Sequence, residues 1–177
     1  MPPNFTRKNI RLGPENYLGD RLYFVTICCE ARQPSLARPE VARWVIERLQ
    51  RSAARHGFWV HAYCVMADHV HLLAEGAGEK SNLLRFVNSY KQETGFQYQR
   101  KSGQPLWQFR FFDHILRKRD AFESVAWYIW LNPVRKGYCK QPQEYPYSGS
   151  FTEAGKSLLA ASPRGNWSPA WRRVVPH

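Results

Sequence analysis

Two histidines one residue apart, His69 and His71, lie in the apolar run His69-Val70-His71-Leu72-Leu73. Side chains two apart on a strand leave the same face, their Cα atoms roughly 6.5 Å apart, so the pair can converge on one metal ion. Farther along, Tyr128 and Asn132 are four residues apart, and such positions stand one above the other on a helix. Together these types can do phosphoryl transfer, with Tyr128 as nucleophile and Asn132 adding an oxygen ligand to an ion held by His69 and His71. A free tyrosine has a pKa of about 10 and needs help at neutral pH. A divalent ion on the scissile phosphate neutralises its charge and orients it for in-line attack. Three protein ligands leave positions open for that phosphate. A covalent phosphotyrosine conserves bond energy, so a strand can be rejoined without ATP. Two imidazoles and an amide suit Mg²⁺ or Mn²⁺, with the softer imidazoles leaning towards Mn²⁺.

Each piece also has a plain structural reading. A His-x-His can pack on a sheet, a tyrosine can edge an amphipathic helix, and an asparagine before Pro133 can end one.

The elements that must position these residues follow from periodicity. Arg21–Cys29 reads as a β-branched and aromatic strand. Pro39–His56 has apolar residues at helical spacing and is closed by Gly57. Trp59–Met66 and His69–Glu75 read as strands joined by the two-residue turn Ala67-Asp68. Ser81 is placed as the N-cap of a helix running to about Arg100, and Phe109–Arg117 as a fourth strand. Asp120 is placed as the cap of a last helix that Pro133 ends. On that helix Phe122, Val125, Ala126 and Ile129 form an apolar stripe with Tyr128 and Asn132 beside it. The order predicts an α+β fold, a ferredoxin-like βαββαβ antiparallel sheet with an added C-terminal catalytic helix. The helices cover one face, with Val70, Leu72 and Ala74, and leave the histidine face to a ligand. The domain is expected over residues 1–140, with an N-terminal arm over about 1–20. Residues 141–177 are expected to form an extended tail.

Charge identifies the class of partner. The 177 residues carry 26 Lys/Arg against 14 acids, a net charge of +12, with 44% hydrophobic and 15% aromatic residues. That supports one well-packed domain and a polyanionic partner, and argues against a binder of basic proteins. Residues 85–140 alone carry 11 Lys/Arg against 4 acids, a net of +7, interleaved with Tyr90, Trp107, Phe109, Phe112 and Trp127. Cations neutralise phosphates while aromatic faces accept unpaired bases, so the mixture suits a partly single-stranded nucleic acid. No stretch approaches the roughly 18 apolar residues of a membrane helix, and the first residues lack the apolar core of a signal peptide. A membrane partner is therefore not expected. Cys28, Cys29, Cys64 and Cys139 have no CxxC spacing and are read as buried small hydrophobes in a reducing cytoplasm. No phosphate loop, deaminase signature or GxSxG elbow is present.

The ordered motifs Tyr63-Cys64-Val65-Met66-Ala67-Asp68-His69-Val70-His71-Leu72-Leu73, Leu106-Trp107-Gln108-Phe109-Arg110-Phe111-Phe112-Asp113-His114, and Tyr128-Ile129-Trp130-Leu131-Asn132-Pro133-Val134-Arg135 carry a family likeness. With Tyr145-Pro146-Tyr147-Ser148 downstream, the chain resembles the REP-associated tyrosine transposases. These are relatives of the small single-tyrosine insertion-sequence transposases in the HUH nuclease superfamily. The resemblance spans about residues 20–150. It implies His69 and His71 as metal ligands, Tyr128 as nucleophile and Asn132 as third ligand. It further implies binding of single-stranded DNA hairpins of repetitive extragenic palindromes, and cleavage to a 5′-phosphotyrosine and a free 3′-OH. A bacterial cytoplasmic setting, on nucleoid DNA, goes with it. Ala67-Asp68 departs from the Pro-Asn usual in relatives, and Asp68 beside the site can orient a histidine or oppose phosphate approach.

Asp68 and His114 are candidates for supporting the ligands from outside the site. Lys91, Arg110, Arg117, Lys118, Arg119 and Arg135 are candidate phosphate contacts, and Arg7, Lys8 and Arg11 a candidate arm at the foot of a hairpin. Tyr90 is a weaker candidate nucleophile, because position 94 is Thr94 rather than a good ligand. A monomer is slightly favoured over a dimer, since a tail after Tyr138 can cover the sheet, although related proteins exchange the catalytic helix between subunits. Two other functions fit the same residues. One is a non-catalytic single-stranded nucleic-acid-binding domain, and the other a hydrolytic metallonuclease without a covalent intermediate.

Overall fold

Alternation along Tyr23-Phe24-Val25-Thr26-Ile27-Cys28 sends odd residues to one side of a strand and even residues to the other. A computed structural model, which describes residues 12–117, 120–163 and 167–169, turns that alternation into two apolar layers. The elements are β1 (Leu22–Cys28), α1 (Pro39–His56), β2 (Phe58–Val65), β3 (His69–Gly76), α2 (Leu83–Ser102), β4 (Phe112–Ile115) and α3 (Phe122–Trp130). They are followed by α4 (Asn132–Arg135), β5 (Ser148–Gly149) and α5 (Glu153–Leu159). The sheet order is β4-β1-β3-β2-β5, with every neighbouring pair antiparallel. Its first four strands have the split βαβ order expected, so the ferredoxin-like fold class holds.

Tyr23, Val25 and Ile27 join Val70, Leu72 and Ala74 in a core under α1 and α2. Phe24, Ala62, Cys64, Met66 and Leu73 face the other way and pack against α3. The sheet therefore separates two cores, and the histidines belong to the α3 side. The β2–β3 register shifts between Val60 and Ala62, so His61 is the extra residue of a bulge. The bulge switches parity in β2: Phe58 and Val60 face α1 and α2 before it, Tyr63 and Val65 after it.

Local chemistry explains the element ends. Gly57 closes α1 in the left-handed region at φ 66°, which glycine adopts at no steric cost. Asn82, not the expected Ser81, caps α2, its Oδ1 accepting from the Arg85 amide at 3.0 Å. Ser81 instead donates to the Gly57 carbonyl at 2.7 Å, which ties the start of α2 to the end of α1. Asp120 does not cap α3 either; Ala121 holds that position without a side-chain bond. The fourth strand is shorter than expected, because Trp107 and Phe111 turn into the α1/α2 core instead of extending along the edge.

Residues past 140 are not an extended tail throughout. β5 pairs with β2 through Tyr63–Gly149 and Cys64–Ser148, and Trp130 Nε1 donates to the Gly149 carbonyl at 2.9 Å. Composition alone read this stretch as loop. Two paired residues are too short to carry a strand signature and exist because β2 offers an open edge. Cys29 and Cys64 are buried as expected, but Cys28 and Cys139 are half-buried. No helix among the described residues is long and apolar enough to cross a membrane.

Leu72 is fully buried at the centre of the sheet. Leu72→Ala is expected to lower unfolding free energy by about 2–5 kcal/mol, read from urea denaturation. Trp59→Ala, at a 52% exposed position, should change it by about 0.5 kcal/mol or less.

Candidate functional site

The β1–β3 register sets Thr26 opposite His71 and Cys28 opposite His69. His71 Nδ1 lies 2.8 Å from Thr26 Oγ1. His69 Nδ1 lies 2.6 Å from Asp68 Oδ1, whose second oxygen accepts from Arg32 Nε at 3.0 Å. The hydrogen bond from His69 holds the Asp68 carboxyl below its ordinary pKa, against the upward push of partial burial, with the Arg32 charge adding to the effect. An ionised Asp68 accepts, so His69 donates from Nδ1. Both rings therefore have Nδ1 engaged, which assigns any metal ligation to Nε2. The rings are 4.5 Å apart, centroid to centroid, at 69°. Of the two effects expected of Asp68, its hydrogen bond to His69 is the one seen in the geometry. That turn is held in place: the Cys29 amide donates to the Asp68 carbonyl at 2.8 Å and the Leu36 amide to the Ala67 carbonyl at 2.9 Å.

Helix α3 brings Tyr128 onto the same face. Its ring centroid is 6.0 Å from that of His71 and 5.8 Å from that of Phe24, which packs 5.3 Å from His71. Phe24 is thus the apolar floor between the histidines and the tyrosine. Arg135 reaches back from α4 and donates to the Tyr128 carbonyl at 2.5 Å, its guanidinium 4.5 Å from the Tyr128 ring centroid. That cation lies against the aromatic ring. Arg135, expected as a phosphate contact, is placed first on the tyrosine. Asn132 is buried, and its Nδ2 donates to the carbonyls of Tyr128 at 3.1 Å and Ile129 at 3.3 Å. Those bonds orient the amide and leave Oδ1 as its ligand-type atom. No group of three or more His, Cys, Asp or Glu side chains placed to hold a metal occurs among the described residues. Two imidazoles held from behind are donors suited to a divalent ion.

His114 is on the same face of the sheet but is engaged elsewhere. It pairs across from Phe24 on β4, and its Nε2 meets Asp120 Oδ2 at 3.0 Å. The other Asp120 oxygen accepts from Trp167 Nε1 at 3.0 Å. Trp167 packs 5.0 Å from Phe24 and edge-on to Tyr128 at 5.2 Å. Tyr128 is only 4% exposed, covered in part by Trp167. Tyr90 is not an alternative nucleophile. Its hydroxyl donates to the Val45 carbonyl at 3.1 Å inside the α1/α2 core, where burial raises its pKa far above the ordinary value.

Lys91 bonds to its own chain, its Nζ donating to the Phe109 carbonyl at 2.7 Å. Arg110 and Arg117 are exposed and line an open groove beside β4. Arg7, Lys8, Arg11, Lys118 and Arg119 lie outside the described residues. Sequence reasoning missed Thr26, Arg32, Phe24 and Trp167. The threonine did carry a signal, a polar residue on the same strand face as Phe24 and Cys28, but only strand pairing reveals its partner.

The family model described as Transposase IS200 like matches residues 20–130. A REP-associated tyrosine transposase of Escherichia coli K12 is 25% identical over 148 residues, covering 80% of this chain and 84% of that protein. A Haemophilus influenzae protein named as a candidate of the same kind is 27% identical over 158 residues, covering 82% and 88%. Among solved structures, a REP-associated tyrosine transposase bound to a REP hairpin superposes with a TM-score of 0.60 at 22% identity. That match covers 75% of this chain and 78% of the other, and it supports the fold.

Burial pushes the Asp120 carboxyl upward, but bonds from the Arg117 amide, His114 and Trp167 outweigh it and hold the pKa below the ordinary value. A depressed carboxylate contributes stability above its unfolded pKa of about 3.9 and loses it as pH falls through the folded value. Urea midpoints measured on either side of that window should fall more steeply with acid in wild type than in Asp120→Asn. Parallel slopes would contradict the arrangement.

Proposed function

The chain belongs to the Transposase IS200 like family, and on that footing we propose that it binds single-stranded DNA hairpins and cleaves and rejoins them through Tyr128. The observation that carries this reading is the packing of Tyr128 beside His71 and edge-on to Phe24, with Arg135 on the tyrosine. The likeness to named REP-associated relatives makes repetitive extragenic palindromes the proposed hairpins, on bacterial nucleoid DNA.

In this reading the Tyr128 hydroxyl attacks the scissile phosphorus in line and the bond to the 3′ oxygen breaks. A 5′-phosphotyrosine and a free 3′-OH result, and the reverse attack rejoins a strand without ATP. Arg135 stabilises the developing phenolate. His69, His71 and Asn132 would hold Mg²⁺ or Mn²⁺, which when bound would neutralise and orient the phosphate. Asp68, backed by Arg32, and Thr26 hold the two imidazoles in the ligating tautomer. Tyr128 meets His71 of its own chain, which supports a complete site in one monomer.

The test is incubation with labelled hairpin DNA and Mn²⁺, followed by mass-spectrometric mapping of any protein–DNA adduct. The adduct is expected on Tyr128 and absent in Tyr128→Phe or with chelator. An undiminished adduct in Tyr128→Phe refutes the nucleophile, cleavage without adduct favours a hydrolytic nuclease, and tight binding without cleavage favours a binding module. Thr26→Val should weaken Mn²⁺ binding about 10- to 100-fold, measured by titration calorimetry on folded protein. An unchanged affinity would show that Thr26 does not position His71 as a ligand.

A further inference from the structure

Just past the end of β1 the chain turns through two residues that rarely turn this way. Ala31 and Arg32 both lie in the left-handed region, at φ 47° and 56°, which a residue bearing a Cβ adopts only under strain. Neighbouring segments hold the turn. The Glu30 amide donates to the Leu106 carbonyl at 2.9 Å, the Arg32 amide to the Cys29 carbonyl at 3.0 Å and the Gln33 amide to the Glu30 carbonyl at 3.0 Å. Leu36, a little farther on, is buried in the core under α1 and α2. The turn decides the direction of one side chain. Arg32 folds back over the end of β1, its Nη1 donating to Cys28 Sγ at 2.9 Å and its Nε 3.0 Å from Asp68 Oδ2.

Asp68 needs such a partner, because its two effects on the site conflict. Its Oδ1 accepts from His69 Nδ1 at 2.6 Å and so fixes that ring. The same carboxylate then places a negative charge one imidazole's width from Nε2, the atom assigned to ligation. A phosphate brought to the histidines meets that charge, and like charges close together oppose binding. The Asp68 side chain is 26% exposed, so water and salt screen it only in part. No other Lys or Arg among the described residues pairs with Asp68.

We infer that Arg32 is a positioning residue of the nicking site: its charge cancels that of Asp68, so Asp68 orients His69 without repelling the scissile phosphate. This deepens the reading given under Proposed function and rests on it. An ion pair whose arginine is 52% exposed contributes little when its side chains are free to wander. The strained turn keeps the guanidinium on the carboxylate, which is what the strain secures. Arg32 acts through Asp68 in this arrangement, and its effect on DNA vanishes once Asp68 carries no charge.

The test is a double-mutant cycle on Arg32 and Asp68 with two readouts on folded protein. One is the rate of adduct formation on Tyr128 at subsaturating hairpin DNA and saturating Mn²⁺; the other is Mn²⁺ affinity by titration calorimetry without DNA. Arg32→Ala should slow the adduct about 10-fold, the scale of one uncancelled charge near a phosphate at a protein surface. It should bind Mn²⁺ at least as tightly as wild type, since a cation has left the neighbourhood. In an Asp68→Asn background the amide oxygen still accepts from His69 but carries no charge, and there Arg32→Ala should slow the adduct by less than about 2-fold. Arg32→Lys, which keeps the charge, should lose less than Arg32→Ala. Equal slowing in both backgrounds, or Mn²⁺ affinity falling together with the rate, would assign Arg32 to DNA contact or to the fold and overturn the inference. No slowing at all, or Arg32→Lys as slow as Arg32→Ala, would overturn it too. In each of these cases a wild-type adduct on Tyr128 leaves the nicking reading intact. A wild type that forms no adduct overturns the nicking reading itself, and this inference with it.

Discussion

In the pairing of β1 with β3, Thr26 lies opposite His71, Cys28 opposite His69 and Phe24 opposite Leu73. A slip of one residue would move all of these to the other face, because side chains alternate with a period of two. The slip is prevented by burial: Tyr23, Val25 and Ile27 must remain with Val70, Leu72 and Ala74 under α1 and α2. The packing of an apolar core thus sets where two imidazoles and their hydrogen-bond partners emerge on the opposite side. Stability and chemistry use the same register on opposite faces of one sheet.

The second layer completes the site from farther along the chain. Helix α3 must bury Val125, Ala126 and Ile129 against the sheet, and Tyr128 lies beside that stripe and comes down next to Phe24. Arg135 and Asn132 follow because α4 begins almost where α3 ends. Asn132 bonds back to the carbonyls of Tyr128 and Ile129, so the four-residue spacing also ties the Asn132 side chain to the backbone at Tyr128. The same spacing that suggested a shared helix face in the sequence survives the short break at Leu131, which keeps right-handed helical angles.

Much of this was legible in residue order. The His-x-His strand, the two-residue turn before it, the Tyr-x-x-x-Asn helix and the split βαβ order are all local patterns, and local patterns are written in spacing. The misplaced caps at Ser81 and Asp120 share one cause. Both side chains have the right chemistry for a cap, but each found a stronger partner outside its helix, Ser81 the Gly57 carbonyl and Asp120 the pair His114 and Trp167. A capping preference worth about 1 kcal/mol yields readily to such tertiary bonds.

The excess positive charge, Tyr128 with Asn132 and His69 with His71 were determined by sequence alone, since each depends on residue type and short spacing. Which group stands behind each imidazole was decided only by tertiary structure: Thr26 for His71, a residue 45 positions away, and Asp68 with Arg32 for His69. The same holds for Trp167 against Tyr128 and for β5 closing the free edge of β2. The physical reason is that these are contacts between segments with no shared periodicity. They arise when two apolar faces are buried on one sheet, and only then does a polar residue on a strand acquire its neighbour.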